Sequence, residues 1–304
     1  MDIELVAEGL KFPEGPIAMA DGSVVLVEIR GGTLTRVTPD GRKEIIARLG
    51  GGPNGAAIGP DGAAYVCNNG GSFGWQESED IHMPGETVTD YRGGSIQRVD
   101  LKTGAFTTLY DSCDAKPLNG PNDIVFDDAG GFWFTCFGQS DGEIRRLGGI
   151  YYAKADGSKI TRVRPEQISP NGIGLSPDGK TVYWADSMLQ RLWALDLNGP
   201  GQPATPHGFM AGRILVNLPS LQWFDSLAVE ASGKVCVATL FNGGITVIDD
   251  PSGAYEHVAF PDDITTNICF GGADMRDAWV TCSSTGKLYK CRWPRPGLKL
   301  AYNA

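Results

Sequence analysis

Five stretches of this chain share one register, in which a small polar or acidic residue sits eight positions before a turn glycine, with an apolar run between. They are Glu14 to Gly22 (EGPIAMADG), Asn54 to Gly62 (NGAAIGPDG), Asn122 to Gly130 (NDIVFDDAG), Asn171 to Gly179 (NGIGLSPDG) and Asp225 to Gly233 (DSLAVEASG). A sixth, imperfect copy begins near Thr266–Asn267 (TNICFGGAD). Internal repetition at roughly 40 to 70 residue spacing constrains the architecture before any motif does. It also puts Glu14, Asn54, Asn122, Asn171 and Asp225 at equivalent points of equivalent units.

After each turn glycine comes an alternating run, such as SVVLVEI, AAYVCNN, GFWFTCF, TVYWADS, KVCVATL or DAWVTCS. A third run follows, such as GTLTRVT, GSIQRVD or GGITVID, and often a polar turn and a short fourth run. Period-2 alternation bounded by Gly, Asp, Asn and Pro is the strand-and-hairpin signal, and no segment carries a long amphipathic helical pattern. The 42 glycines among 304 residues are nearly twice the usual share of about 7%, which suits many short strands. The expectation is an all-β chain of six three- to four-stranded units: a six-bladed β-propeller forming one domain over residues 1–304. The N-terminal run DIELVAEG has no unit of its own. It is expected to supply the outer strand of the last blade beside LYKCRW, closing the ring and removing its open edges.

In a radial arrangement the repeated residues converge on one axis. Each follows the loop from the preceding blade, and the loop between second and third strands lies on that same face. The longest insertion, Asn68 to Gly94, falls in such a loop, so it is expected to overhang the channel mouth. A shorter one, Phe137 to Gly148, falls in the matching loop of the third blade. Trp75, His82, Tyr91, Arg92 and Phe137 are therefore candidate substrate contacts, with Trp133 and Trp223 as further rim aromatics. Glu14, Asn122, Asn171 and Asp225 offer two carboxylates and two amide oxygens. That donor set suits a hard divalent cation, and its charge balances one. Asn and Asp also suit turns, but Glu14 does not fit that reading.

Other features exclude rather than assign. A net charge of −10 disfavours nucleic-acid and anionic-membrane surfaces, which reward clustered Lys and Arg. The start MDIELVAEGL lacks the basic and apolar regions of a signal peptide, and no apolar run reaches the roughly 18 to 20 residues of a membrane span. Seven cysteines without a CxxC pair read as free thiols in a reducing compartment; the expected location is the cytoplasm. No GxSxG motif occurs, which disfavours a serine nucleophile. His82, His207 and His257 all fall outside the register, which disfavours a histidine-based zinc site.

The residues that carry this argument also carry a resemblance. FPEGP at 12–16, GPND at 120–123, SPNGIGLSPDGKTVYWADS at 169–187 and FDSLAVE at 224–230 resemble the signature segments of the gluconolactonase, senescence marker protein and luciferin-regenerating enzyme family. The likeness runs through nearly the whole chain in order, with the two insertions as departures. It implies a six-bladed propeller with a divalent metal in its channel. By motif, Glu14, Asn171 and Asp225 match the family's metal ligands, Asp225 being the usual candidate base. Asn122 matches a residue that binds metal or substrate, with Asn54 beside it as a substrate contact. Ser226 stands where the family pattern has glycine. The expected function is a lactonase: metal-assisted opening of a sugar-acid lactone or related small lactone. The ion is expected to be Ca²⁺ first, with Zn²⁺, Mn²⁺ or Fe²⁺ as alternatives. A phosphotriesterase-type hydrolase on the same site and a non-enzymatic calcium- or ligand-binding propeller are the competing readings. The expected partner is a small lactone, with no nucleic acid or membrane, and the chain is expected as a monomer or small homo-oligomer.

Overall fold

A computed structural model describes residues 1–78, 81–205 and 212–302; His207 lies outside this set. The described residues form β-strands and turns, without an α-helix. Six antiparallel sheets follow one another along the chain. Their innermost strands are Pro13–Ala18, Pro53–Ile58, Pro121–Phe126, Pro170–Leu175, Phe224–Val229 and Thr265–Gly271. Each inner strand lies against those of the preceding and following sheets, and the sixth lies against the first. This is the six-bladed propeller; blades are numbered 1 to 6 in that order.

The second, third and fourth strands of each blade step outward as a meander. Blade 6 has three strands from its own segment and takes its fourth from the other end of the chain. Ile3–Ala7 pairs antiparallel with Lys287–Arg292, with Ile3 opposite Cys291 and Leu5 opposite Tyr289. The N-terminal closure expected from the sequence is therefore present. It satisfies the backbone donors and acceptors that an open ring would leave on the edge.

The core is divided among the blade junctions. Val25, Val27 and Leu34 of blade 1 pack with Ala64, Val66 and Val99 of blade 2. Val125, Trp133 and Ile150 of blade 3 pack with Val182, Trp184 and Leu195 of blade 4. Corresponding clusters fill the other junctions, including blade 6 against blade 1 through Trp279, Leu288, Val24 and Leu26. Since both faces of each blade are covered, a second strand such as Gly131–Cys136 is buried along its whole length. The seven cysteines are free, and all but the partly buried Cys269 are buried.

A local irregularity places the functional residues. In all six blades, the pairing of the inner with the second strand slips at or just after the repeated position: between Glu14 and Ile17, Pro53 and Gly55, Pro121 and Ile124, Pro170 and Ile173, Phe224 and Leu227, and Thr265 and Asn267. Such a bulge frees a backbone segment from the ladder and re-aims its side chain, here towards the axis. In blades 1, 2 and 4 the residue after the repeated position is a glycine, where strands converge. A Cβ on Gly55 would lie 2.4 Å from Asn122 O, and one on Gly172 would lie 2.6 Å from Leu227 N.

The insertions are folded. Phe73–Glu77 and His82–Thr87 form a hairpin across the mouth, and Gln139–Ser140 pairs with Arg145–Arg146. The two insertions meet where Ser140 N donates to Thr87 Oγ1 at 3.3 Å. The first also reaches blade 6, with His82 N donating to Ser284 O at 3.0 Å.

Candidate active site

Glu14, Asn54, Asn122, Asn171 and Asp225 all line one cavity of about 430 Å³ at the channel mouth. Five inner strands, each broken by its bulge, deliver one side chain apiece. Glu14, Asn54, Asn122 and Asn171 are buried, whereas Asp225 opens partly onto the cavity.

Neighbours fix the orientation of these groups. Glu14 Oε2 accepts from Gly15 N at 2.7 Å and from Asn267 Nδ2 at 2.8 Å. Asn171 Nδ2 donates to Ser187 Oγ at 3.1 Å, which turns its Oδ1 the other way. That Oδ1 is buried and has no hydrogen-bond partner. An orphaned buried acceptor is costly, and a ligand cation would satisfy it.

The electrostatics point the same way. Burial, and then the nearby charge of Asp225, push the Glu14 carboxyl well above its ordinary range. Burial also raises Asp225; a hydrogen bond from Asn171 opposes this, and the charge of Asp123 reinforces it. Like charges crowded into a low-dielectric site resist ionisation unless a cation compensates them. Among the described residues, no group of three or more His, Cys, Asp or Glu side chains forms a metal cage. The ring's donors are instead two carboxylates and three amides, oxygen ligands suited to a hard cation.

One tier deeper lies Asp123, a residue the sequence reading passed over. Its Oδ1 accepts from Ile124 N at 2.9 Å and its Oδ2 from Ile173 N at 3.1 Å, and Leu227 N also donates to the carboxylate. Burial raises its pKa to about 7 despite these three donors. The carboxylate thus ties the bulges of blades 3, 4 and 5 together below the ring. A signal was available: the equivalent positions are Gly15, Gly55, Gly172 and Ser226, and Asp123 alone among these five is charged. Ser226, at the expected glycine position, is buried, and its N–H donates to Asp225.

The rim candidates divide. Phe137 and Trp223 line the cavity. Trp75 stands behind the wall, with its ring edge-on to Phe12 at 5.3 Å. His82 faces a separate groove with Lys11, Arg30 and Lys287. Tyr91 is spent on support, its Oη accepting from Gly120 N at 3.0 Å. Arg92 is exposed and away from the cavity, and Trp133 is fully buried between blades 3 and 4. Trp75, His82, Tyr91 and Arg92 were expected at the mouth because the whole insertion lies there. In a hairpin, however, only part of the side chains can face the cavity; Met83, Pro84, Glu86 and Thr87 line it instead.

The sequence reading also missed Phe12, Gln139, Arg145 and Phe241. Gln139 is buried, and its Oε1 has no partner. Arg145 stacks over Phe137, 5.0 Å from ring centroid to Cζ, and is held by the carbonyls of Phe137 and Ile168.

Comparison with known proteins agrees with this architecture. Regucalcin of Xenopus laevis is 28% identical, over 96% of this chain and 91% of its own length. Lactonase drp35 of Staphylococcus saprophyticus is 26% identical, over 85% of this chain and 72% of its own. The solved structure of a gluconolactonase from Xanthomonas campestris superposes with a TM-score of 0.75 at 20% identity, covering 96% of this chain and 89% of the other. Residues 12–284 match the family described as SMP-30/Gluconolactonase/LRE-like region, and the chain belongs to that family.

Proposed function

We propose that this protein is a metal-dependent lactonase whose divalent ion, Ca²⁺ first, is held by Glu14, Asn122, Asn171 and Asp225. The observation that carries the reading is the convergence of two charge-crowded carboxylates and the orphaned Asn171 Oδ1 in one cavity. The lactonase and gluconolactonase names of relatives support it. When bound, such an ion supplies Lewis acidity towards a carbonyl oxygen.

The chain's own residues supply the rest. Asp225 opens partly to the cavity, so an Oδ can take a proton from water attacking the lactone carbonyl. Asn122 and Asn54 flank the ring on neighbouring blades and orient the lactone. Ser187 keeps the Asn171 amide turned with Oδ1 inward. Met83, Pro84 and Phe137 cover the mouth and limit the water that reaches it.

The test is a pH-indicator assay against aldonic and aliphatic lactones, metal-free and then with Ca²⁺, Mn²⁺, Zn²⁺ or Fe²⁺. Acid release that needs metal and disappears in Asp225→Ala and Glu14→Gln supports the reading. Absence of release from every lactone with every metal refutes it and favours a phosphotriesterase-type or binding role. Turnover that is unchanged without metal removes the ion from the mechanism.

A further inference from the structure

Resting on the lactonase reading, the shape and chemistry of the cavity above the ring narrow the substrate. The floor is polar, but blades 1, 5 and 6 and the insertion hairpin present an apolar wall. Its main surfaces are Phe12, Phe73, Met83, Trp223, Leu240 and Phe241. Trp223 and Phe241 meet edge to face at 5.5 Å, so the two rings form a continuous corner. A volume of about 430 Å³ falls in the range of pockets that take ligands well beyond one small ring.

Two backbone observations show that this wall is built at a cost. Phe12 and Phe241 both line the cavity and both sit in the left-handed region, at φ of 58° and 68°. Bulky residues avoid that region, and strain of this kind concentrates where the structure needs a group in one place. Each is held by its surroundings: Phe12 O accepts from Ile29 N at 3.0 Å, and Phe241 N donates to Asp263 O at 2.6 Å. At the mouth, Met188 and Phe241 remain 39% and 41% exposed. They are apolar surface that a bound ligand would cover.

The polar groups are gathered on the other side, where Glu86, Thr87, Gln139, Ser140 and Arg145 line the cavity. Gln139 offers an unsatisfied buried acceptor. Arg145 has already committed its Nε and Nη2 to carbonyls. A polyhydroxylated ring would bring several hydroxyls against aromatic faces that give them no partner, and burying an unpaired hydroxyl is unfavourable. A ring with one apolar arm against the aromatic wall, and any polar group turned to the Gln139 side, leaves no such mismatch.

We propose that the substrate is a lactone bearing an apolar alkyl or aryl substituent, with its carbonyl at the Glu14, Asn122, Asn171 and Asp225 ring and its substituent against Phe12, Trp223 and Phe241. The reaction is hydrolysis. Water adds to the lactone carbonyl, the ring C–O bond breaks, and a hydroxy acid with the same substituent is released.

The experiment measures kcat/KM of the metal-loaded protein for γ-lactones whose side chain grows from methyl to octyl, with glucono-δ-lactone alongside. Calorimetric binding of the matching γ-lactams, which resist opening, gives a readout free of turnover. The expected result is a rise of about fourfold per methylene until the wall is covered, with the lactams following the same order. The octyl lactone should exceed the methyl one by about 100-fold or more, the product of several such steps, and glucono-δ-lactone should fall well below the long-chain lactones. Phe241→Ser, at an exposed position, should weaken the octyl compounds more than the methyl ones. Efficient opening of glucono-δ-lactone with a flat response to chain length overturns this inference and leaves the lactonase reading standing. Failure to open any lactone, sugar or alkyl, overturns both.

Discussion

Asn267 Nδ2 donates to Glu14 Oε2 at 2.8 Å, so the sixth blade steadies the ring carboxylate contributed by the first. The two residues are 253 positions apart in sequence and meet only because the ring closes. The contact favours ionised Glu14 against the burial and the Asp225 charge that raise its pKa. Partners that orient a metal ligand commonly change affinity by about 10- to 100-fold. Asn267→Leu should therefore weaken Ca²⁺ binding about 10-fold or more in a calorimetric titration, with the far-ultraviolet spectrum of the propeller retained. Equal affinity in the variant would show that the Asn267 contact does not orient Glu14 towards the ion.

The glycine after Asn171 is a packing requirement of the axis. Its Cβ would lie 2.6 Å from Leu227 N and 2.7 Å from Asp225 O, both backbone atoms. Gly172→Ala must push blades 4 and 5 apart, at about 3 kcal/mol, and it moves Asn171 and Asp225, two of the residues proposed to hold the ion. At Gly179, by contrast, a Cβ meets nothing within 4 Å, and only the φ of +66° resists substitution. Gly179→Ala should cost about 1 to 2 kcal/mol. Urea unfolding of the two variants separates these effects, and equal losses would contradict the close approach.

How much of this was legible beforehand follows from what a repeat can encode. The register fixes an equivalent residue at the start of each inner strand, second in it, so Glu14, Asn54, Asn122, Asn171 and Asp225 could be grouped without coordinates. Trp133 could not be placed by the same logic. Both faces of a blade are covered, so Phe132, Trp133 and Phe134 are all fully buried, and alternation no longer separates channel from core. The insertion posed a different problem. Its length told where it lies, but Trp75 opposite Pro84 and Glu77 opposite His82 are a hairpin register, and no turn motif in the segment specifies it. Asp123 was hidden by its neighbour: in GPND attention falls on Asn122, which holds the repeated register position, and three backbone donors from three blades exist only in the closed ring.

Asp123 should matter to stability more than its lack of a role in the ring suggests. Asp123→Ala leaves the N–H groups of Ile124, Ile173 and Leu227 without their acceptor. Each buried orphan costs about 1 to 3 kcal/mol, so a loss of at least about 3 kcal/mol is expected in chemical denaturation. Asp123→Asn keeps one acceptor oxygen and should lose less. If both variants unfold like the parent, the carboxylate is not tying the bulges together.

Glu230 provides a pH-dependent prediction far from the ring. Its carboxylate is fully buried and accepts from Trp293 Nε1 at 2.7 Å and Arg295 Nε at 2.7 Å. These contacts bind the segment after the last strand of blade 6 onto blade 5, where Leu298 N also donates to Val229 O at 2.8 Å. Burial alone would raise the Glu230 pKa, but the hydrogen bonds from Arg295 and Trp293 outweigh it, and the folded value lies below the ordinary 4.5. The unfolded chain therefore binds the proton more readily. The stabilisation is fully present above pH 4.5 and is lost as pH falls through the lower folded value. Glu230→Gln removes the charge that Arg295 meets and should cost about 2 kcal/mol at pH 7. The gap between variant and parent should shrink steadily below pH 4.5, because the parent's own carboxylate is then being protonated. Urea midpoints at pH 7 and pH 3.5 measure it, and a gap of the same size at both would mean that the Arg295 contact contributes nothing through charge.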